Sequence, residues 1–191
     1  MTSTGQVSPS SATTVAEGNW SDDTWNTPTN IFADDGNTAN VIAASFDSPD
    51  QTFVLKASGF NFSAIPDYAD IAGVTCRVNA FFRAGQGTGS MDLLQLLDTA
   101  GAKVGTNQCA TPVVLSSTTS TVITKGGASD KWANALTPAW VKDSDFGVAI
   151  GILATAANAD VDVDHVTLEI EYAASDQSAY LSSAMGNGPM Y

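Results

Sequence analysis

The sequence predicts an all-β protein, an antiparallel β-sandwich of the jelly-roll type with extended N- and C-terminal arms. From Asn40 onward the chain breaks into short runs rich in β-branched and aromatic residues, separated by Gly, Asn, Asp and Pro. This pattern is typical of a sandwich or a barrel. The run 73–83 alternates apolar and polar residues, as expected for a strand with one face on a core. None of the runs has the spacing of an amphipathic helix.

Predicted strands lie at 41–46, 52–59, 73–83, 90–98, 120–125, 146–155 and 161–172. The last strand changes phase along its length, because Val161 and Val163 have the opposite parity to the apolar residues from Val166 onward. A β-bulge near Asp164 or His165 would bring both halves to the core, since a bulge inserts one residue into a strand.

The chain of 191 residues is long enough for one domain with a substantial core, and we expect the sandwich at 18–173. Residues 1–17 are rich in Ser and Thr and lack a hydrophobic period, so they are predicted to form an N-terminal arm.

The predicted C-terminal arm, 174–191, retains aromatic and large apolar residues, which disordered tails usually lack. We expect it either to order against a neighbouring subunit or to fold back over its own sandwich. The residues expected to contact a partner are Tyr180, Leu181, Met185, Met190 and Tyr191.

A G-x-G-x-G run is formed by Gly85, Gly87 and Gly89. A phosphate cradle would need a following helix whose N-terminal amides meet the phosphate, but 91–97 is predicted to be a strand. The run is therefore interpreted as a hairpin loop, and it is the second expected contact region.

Acidic residues outnumber basic ones by 20 to 7, and the formal net charge is −13. Such a surface repels a phosphate backbone, so we expect no nucleic-acid partner; docking on a basic surface fits better. The N terminus lacks the positive start and apolar run of a secretory signal, and no segment has the apolar length of a membrane span. We expect synthesis in the cytoplasm, no membrane partner and no cofactor.

The two cysteines are expected to stay reduced in that compartment. Cys76 alternates in phase with the apolar side of 73–83, which indicates a small core residue. Pairing with Cys109 stays open as the alternative. Zinc and iron–sulfur binding lack ligands, because the chain has only one His and no C-x-x-C motif.

Three carboxylates alternate in the segment Asp160, Asp162 and Asp164. Oxygen ligands of this kind bind calcium, although the Gly and Glu of an EF-hand loop are missing: His165 and Ile170 stand at those positions. The alternative is a hydrated strand end. We therefore predict no metal site, with these three residues as the weak calcium candidate.

His165 is the only imidazole, so a Ser-His-Asp or Cys-His mechanism has to pass through it. No G-x-S-x-G turn occurs, and we predict no catalytic residues and no enzyme. The paired carboxylates of glycoside hydrolases are recognised by their separation in space, so the sequence leaves that alternative open.

Four tryptophans, Trp20, Trp25, Trp132 and Trp140, allow two interpretations. Aromatic platforms bind sugar rings in carbohydrate-binding modules. Trp132 and Trp140 instead flank the Thr137-Pro138 turn, where large aromatics commonly fix a loop to the core and the indole N–H reaches a backbone carbonyl. We favour the second interpretation.

A series of short motifs occurs in order along residues 25–172. They are W-x-x-P-x-N at Trp25–Asn30, G-F-x-F-S followed by Ile65-Pro66, the turn Gly105–Asn107, G-G-x-x-D-x-W at Gly126–Trp132, Thr137-Pro138, F-G-V at Phe146–Val148, and V-D-x-V at Val163–Val166. In this order the chain resembles the β-sandwich structural proteins of tailed-bacteriophage virions. Ala64 is an insertion relative to that pattern, and His165 stands where a Tyr is expected.

The resemblance implies a structural role in the virion, with no catalytic residues. We expect a capsid decoration or cement protein on the outer capsid surface, made in the host cytoplasm. Its expected partners are the major capsid protein and copies of itself, and a homo-trimer is plausible. The alternatives are a neck, collar or tail-fibre component, or a carbohydrate- or receptor-binding module.

Overall fold

The computed structural model describes residues 1–42, 46–117 and 119–174. These residues form a 3-10 helix at Pro28–Phe32, a short helix α1 at Pro138–Val141, and β-strands. In chain order the strands are β1 Thr2–Ser3, β2 Ser11–Val15, β3 Ala39–Ile42, β4 Val54–Ser58, β5 Ala69–Phe82, β6 Gly89–Leu97, β7 Lys103–Val104, β8 Val113–Val114, β9 Thr121–Gly127, β10 Gly147–Ala154 and β11 Asp160–Ala174.

The strands form two antiparallel sheets, which confirms the predicted β-sandwich. Sheet A has the order β1-β11-β5-β9, with β3 also paired to β11. Sheet B has the order β2-β4-β10-β6-β7, with β8 also paired to β6. Early and late strands therefore alternate within each sheet, as β3-β11-β5-β9 and β4-β10-β6, which is the arrangement of a jelly roll.

The core lies between the two sheets and explains the alternation seen in the sequence. On β5, Cys76, Val78, Ala80 and Phe82 are fully buried, whereas the residues between them are half-buried on the outer face of sheet A. The largest buried side chains are Trp132, Phe46, Phe62, Phe82 and Phe146. Such aromatic side chains supply much of the apolar area that stabilises a core of this size.

The predicted bulge in the last strand is confirmed. The register between β11 and β5 shifts between Val163 and His165, so that Asp164 has no partner on β5. As a result Val163 and Val166 both point into the core, although their parity differs. The bulge also turns Asp164 and His165 toward the outer face of sheet A, which is important for the site.

Residues 1–17, predicted as an arm, lie along their own sandwich instead. β1 pairs with β11, Val7 forms a bridge to Leu168, and β2 pairs with β4. The segment is polar because it supplies edge strands whose outer side faces solvent, where Ser and Thr are tolerated. The segment 1–17 can therefore add a strand to each sheet without an alternating hydrophobic pattern in its sequence.

The outer face of sheet B is covered by the segment that follows β2. Trp20 packs on Val54, Leu93, Leu97 and Ala149, which form a second apolar cluster. Its indole lies so close to Gly151 that an added Cβ there would be 2.5 Å from the ring. Glu17 pairs with Lys56 and, at 3.0 Å, with Lys103. These contacts leave the outer face of sheet A as the more open of the two.

Candidate functional site

A polar groove of about 420 Å³ lies on the outer face of sheet A. This volume is in the range of small-ligand sites. The floor consists of side chains from three neighbouring strands, β11, β5 and β9, which point away from the core. Its lining residues are Gln6, Asp34, Arg77, Asn79, Val122, Thr124, His165 and Thr167.

Strand register arranges the floor in two rows. Thr167 lies opposite Arg77, which lies opposite Thr124. In the next row His165 lies opposite Asn79, which lies opposite Val122. Paired residues in antiparallel strands are about 5 Å apart, and residues two apart on a strand are about 7 Å apart. The floor is therefore a flat array of the size of one or two sugar rings or a short peptide.

The N-terminal segment forms one wall of the groove and is fixed there by side-chain hydrogen bonds. The Ser8 hydroxyl lies 2.9 Å from Nε2 of His165, and Thr167 donates to Oε1 of Gln6 at 3.3 Å. Both contacts follow from the pairing of Val7 with Leu168, because Gln6 and Ser8, on either side of Val7 in the chain, then both point to the outer face beside β11.

Arg77 is the only Arg or Lys among the residues that line the groove. Its nearest acid is Glu169, at 3.9 Å between Nη2 and Oε2, and the Arg77 side chain is 37% exposed. Glu169 already accepts a hydrogen bond from Ser3. Among the residues that the structure describes, the guanidinium has this ion pair and no hydrogen bond, so most of its N–H donors face the groove or solvent.

Asn79, in contrast, is held in place on both sides. Its amide donates to Oδ2 of Asp164 at 3.3 Å, and its carbonyl oxygen accepts a hydrogen bond from Ser120. The amide is thereby oriented before any ligand binds, which lowers the entropic cost of binding.

Acidic residues define the end of the groove near the bulge. Asp164 is buried, and it accepts hydrogen bonds from Asn79 and from the Gly36 amide at 3.2 Å. Burial raises the pKa of Asp164 above its usual value, and a hydrogen bond with Asp34 adds to the effect. A negative charge on Asp164 is therefore disfavoured.

The calcium candidates are not brought together as a ligand set. Asp162 is fully buried and accepts two hydrogen bonds from Arg83, at 2.6 and 2.8 Å, and one from Thr38 at 2.5 Å. The pairing with Asp162 raises the pKa of Arg83. Asp160 pairs with Ile42 on the edge of sheet A. Within the described ranges, no group of three His, Cys, Asp or Glu side chains is placed to hold a metal ion.

Two of the tryptophans fix loops to the core, as predicted. The indole N–H of Trp25 donates to the Phe53 carbonyl at 2.8 Å, and that of Trp132 donates to the Val74 carbonyl at 3.0 Å. Both rings are buried, so neither can serve as a platform for a sugar. Trp20 covers sheet B. Trp140 lies half-buried beside a second, shallow hollow that includes Asp98 and Asp143, and its indole N–H has no hydrogen-bond partner among the described residues, so the predicted bond to a backbone carbonyl is not formed there.

The glycine run lies between β5 and the start of β6, but these strands belong to different sheets, so the loop joins sheet A to sheet B and the predicted hairpin is wrong. At Gly87 an added Cβ would lie 2.6 Å from the backbone of Ala159, and at Gly89 it would lie 2.1 Å from the Leu153 carbonyl. Gly85 has open space around its Cα. Close packing of the chain therefore explains Gly87 and Gly89, and a partner contact at this loop stays a prediction.

Both cysteines are free and buried. Burial raises the pKa of the Cys109 thiol to about 11 and that of Cys76 further. Thiols in this state are unreactive at neutral pH. The other predicted contact residues, Tyr180, Leu181, Met185, Met190 and Tyr191, lie outside the described residues.

The pairing of Ser8 with His165 was not predicted from the sequence. It has the distance of a nucleophile and its base, but the ring also needs an orienting partner on Nδ1. Within residues 1–42, 46–117 and 119–174, no hydrogen bond to Nδ1 is present. The contact explains how the N-terminal segment is fixed to β11. The 157 residues between the two partners in the chain hide it from any local pattern.

No family model matches the sequence, and no curated protein does. Among solved structures, the CBM22-1 xylan-binding domain from Paenibacillus barcinonensis Xyn10C is similar over 86% of this chain and 95% of its own, with 12% identity and a TM-score of 0.40. In the described part of the chain, no helix has the length and apolarity needed to span a membrane.

Proposed function

We propose that this protein is a structural component of a tailed-bacteriophage virion that binds the outer capsid surface as a decoration or cement protein. One observation carries the proposal: the described residues, which end at Ala174, form a two-sheet sandwich with a buried core. The last core residues of β11 are Ile170, which is fully buried, and Tyr172, which packs on the core from the edge, whereas Ala174 is exposed.

We expect the segment beyond Ala174, which lies outside the described residues, to contact a partner. Its sequence holds two tyrosines, a leucine and two methionines within 17 residues, which is more apolar character than a solvated tail needs. In a decoration protein such a segment adds contact area on a neighbouring subunit. The apolar side chains Tyr180, Leu181, Met185, Met190 and Tyr191 would supply that area.

The resemblance to virion proteins concerns residues that build the scaffold. Trp25 and Trp132 hold loops through their indole N–H groups. Gly126 has a φ of +77° and leaves room for the Trp132 ring. A resemblance in the residues that build the scaffold supports a similar structural role, in which the sandwich presents its surfaces and loops to neighbouring subunits.

The proposed mechanism is mechanical. Each copy bridges adjacent capsid subunits and other copies of itself, and separation of the subunits then also requires breaking these contacts. A standard protein interface buries about 1,600 Å², and a segment that orders on docking loses part of the gain to entropy. The net charge of −13 favours docking on basic capsid surface. A trimer at a threefold axis would satisfy closed symmetry.

The test is binding of a truncated chain to purified particles that lack this protein. A chain ending at Ala174 keeps every described strand, so we expect a folded, soluble sandwich whose binding is reduced at least tenfold. The matched control replaces exposed Val114, which is 80% exposed on β8, by Ser and should bind normally. Undiminished binding of the truncated chain would refute the role of the segment.

A neck, collar or fibre component is the alternative location, and it differs in copy number per particle. A carbohydrate- or receptor-binding module is the second candidate function. The polar groove on sheet A favours it, because the groove presents oriented hydrogen-bonding side chains and only one apolar side chain, that of Val122.

A further inference from the structure

We propose that the groove on the outer face of sheet A binds a neutral saccharide, with Arg77 as the main hydrogen-bond donor to a pair of adjacent hydroxyl groups. This site does not depend on the virion role. It would give the molecule a second binding activity on the face opposite to the core, separate from the segment after Ala174.

The first step rests on the unused donors of Arg77. The guanidinium has only the Glu169 contact at 3.9 Å, which is longer than a hydrogen bond. Its planar fork presents parallel N–H groups that match two neighbouring oxygen atoms. Arg77 occupies the middle of its row between Thr167 and Thr124. A ligand over it also meets the exposed Thr124, whereas Thr167 is buried and donates its hydroxyl to Gln6.

The second step is the charge of the surroundings, which selects a neutral ligand. Glu169 lies beside Arg77, and Asp34 stands at the end of the groove. The whole chain carries a formal charge of −13. A phosphate or sulfate group over Arg77 would be repelled by these carboxylates, and a nucleic acid would be repelled along its length. Hydroxyl groups carry no such penalty.

The third step concerns an extended peptide as the alternative ligand. Peptides that bind sheets use the free main-chain groups of an edge. β11 and β5 are each paired on both sides, so they offer no such groups to a ligand over Arg77, and of the three floor strands β9 alone lies at the edge of sheet A. Recognition here has to come from side chains, which suits a ligand whose own surface is rich in hydroxyl groups.

The remaining polar side chains are held before a ligand arrives. Asn79 is fixed by Ser120 and Asp164, and Thr167 by Gln6. Val122, which is 57% exposed, provides an apolar contact for the C–H face of a ring. Without an aromatic platform in the groove, we expect binding at high micromolar to millimolar concentration.

The experiment is a glycan array that includes neutral, amino and uronic-acid oligosaccharides, followed by a titration of the best ligand by amide NMR. Wild-type protein should bind a subset of the neutral glycans and shift resonances of Arg77, Thr124 and Thr167. Arg77→Ala should reduce affinity at least tenfold, and Arg77→Lys should recover only part of it, because the ammonium lacks the planar fork.

The control variant is Lys131→Ala. Lys131 is exposed in the turn after β9, outside the groove, and the substitution removes one positive charge as Arg77→Ala does. Its affinity should equal that of the wild type. Thermal unfolding of both variants checks that the fold is kept.

Three outcomes would overturn the proposal. Binding to no glycan on the array would remove the saccharide site. Binding limited to the uronic-acid glycans, with Arg77→Lys equal to the wild type, would show recognition of charge instead of hydroxyl pairs. Binding that persists in Arg77→Ala would place the ligand elsewhere. Each outcome is independent of particle binding by the chain that ends at Ala174.

Discussion

The buried ion pair between Arg83 and Asp162 gives the sharpest prediction about stability. Arg83 donates from Nε and Nη2 to the two carboxylate oxygens, at 2.6 and 2.8 Å. The Asp162 side chain is only 2% exposed, whereas that of Arg83 is 38% exposed. Replacing Arg83 by Met therefore leaves a buried carboxylate with Thr38 as its remaining described hydrogen-bond donor.

The expected loss of unfolding free energy follows from the difference in exposure between the Asp162 and Arg83 side chains. Removing one partner of a buried pair costs about 3–5 kcal/mol, and the partial exposure of Arg83 places the loss near the lower end, about 3 kcal/mol. Asp162→Asn should cost less, about 1–2 kcal/mol, because the exposed guanidinium can turn to water. The double variant should lose clearly less than the sum, since the two side chains interact directly.

The assay is urea unfolding followed by circular dichroism at pH 7. Lys142→Ala is the matched control, because its partner Asp67 is 94% exposed and such pairs contribute about 0–1 kcal/mol. A loss below 1 kcal/mol for Arg83→Met, or full additivity of the double variant, would refute the reasoning.

Three further predictions concern the core and the bulge. Gly126→Ala should cost about 2 kcal/mol or more in urea unfolding, since φ is +77° and the Cβ would lie 2.4 Å from Nε1 of Trp132. The control Gly101→Ala, with a φ of +70° and open space around the position, should cost about 1 kcal/mol. Cys76 and Cys109 should not react with Ellman's reagent until the protein unfolds; fast reaction in the native state would contradict their burial. Asp164→Asn should raise the melting temperature above that of the wild type by more at pH 7 than at pH 4. An equal difference in melting temperature at the two pH values would contradict the raised pKa.

The sign of the Asp164 prediction follows from linkage. Burial raises the pKa of Asp164 in the folded state, so the folded protein holds this proton more tightly than the unfolded chain does. The contribution to stability is present below the unfolded pKa and is lost as pH rises through the folded pKa. At neutral pH the carboxylate is ionised in the unfolded wild type, whereas burial disfavours its ionisation in the folded state, and the amide of the Asn variant carries no such cost.

The strands were predictable because burial imposes a simple period on them. The alternation on β5 and the change of parity on β11 are direct consequences of one face meeting a core, and the bulge at Asp164 follows from that parity. The roles of Trp25 and Trp132 were predictable for a related reason, since a buried indole needs an acceptor for its N–H.

The short strands and the groove were not predictable from the sequence. β7 and β8 have two residues each, too few to show a period. The groove joins Gln6, Arg77, Val122 and His165 from four distant parts of the chain. Their meeting depends on which strands are neighbours, and no local pattern of residue types encodes that order. Arg83 and Asp162 are likewise 79 residues apart.

The central proposal, a shell-covering virion protein, is tested most directly by the copy number of this chain in purified virions. Quantitative mass spectrometry against the major capsid subunit gives that number. The proposal predicts a ratio near parity or a simple fraction of it. A handful of copies per particle would contradict the decoration role and place the protein at the neck or fibres, and absence from the particle would contradict a virion role altogether.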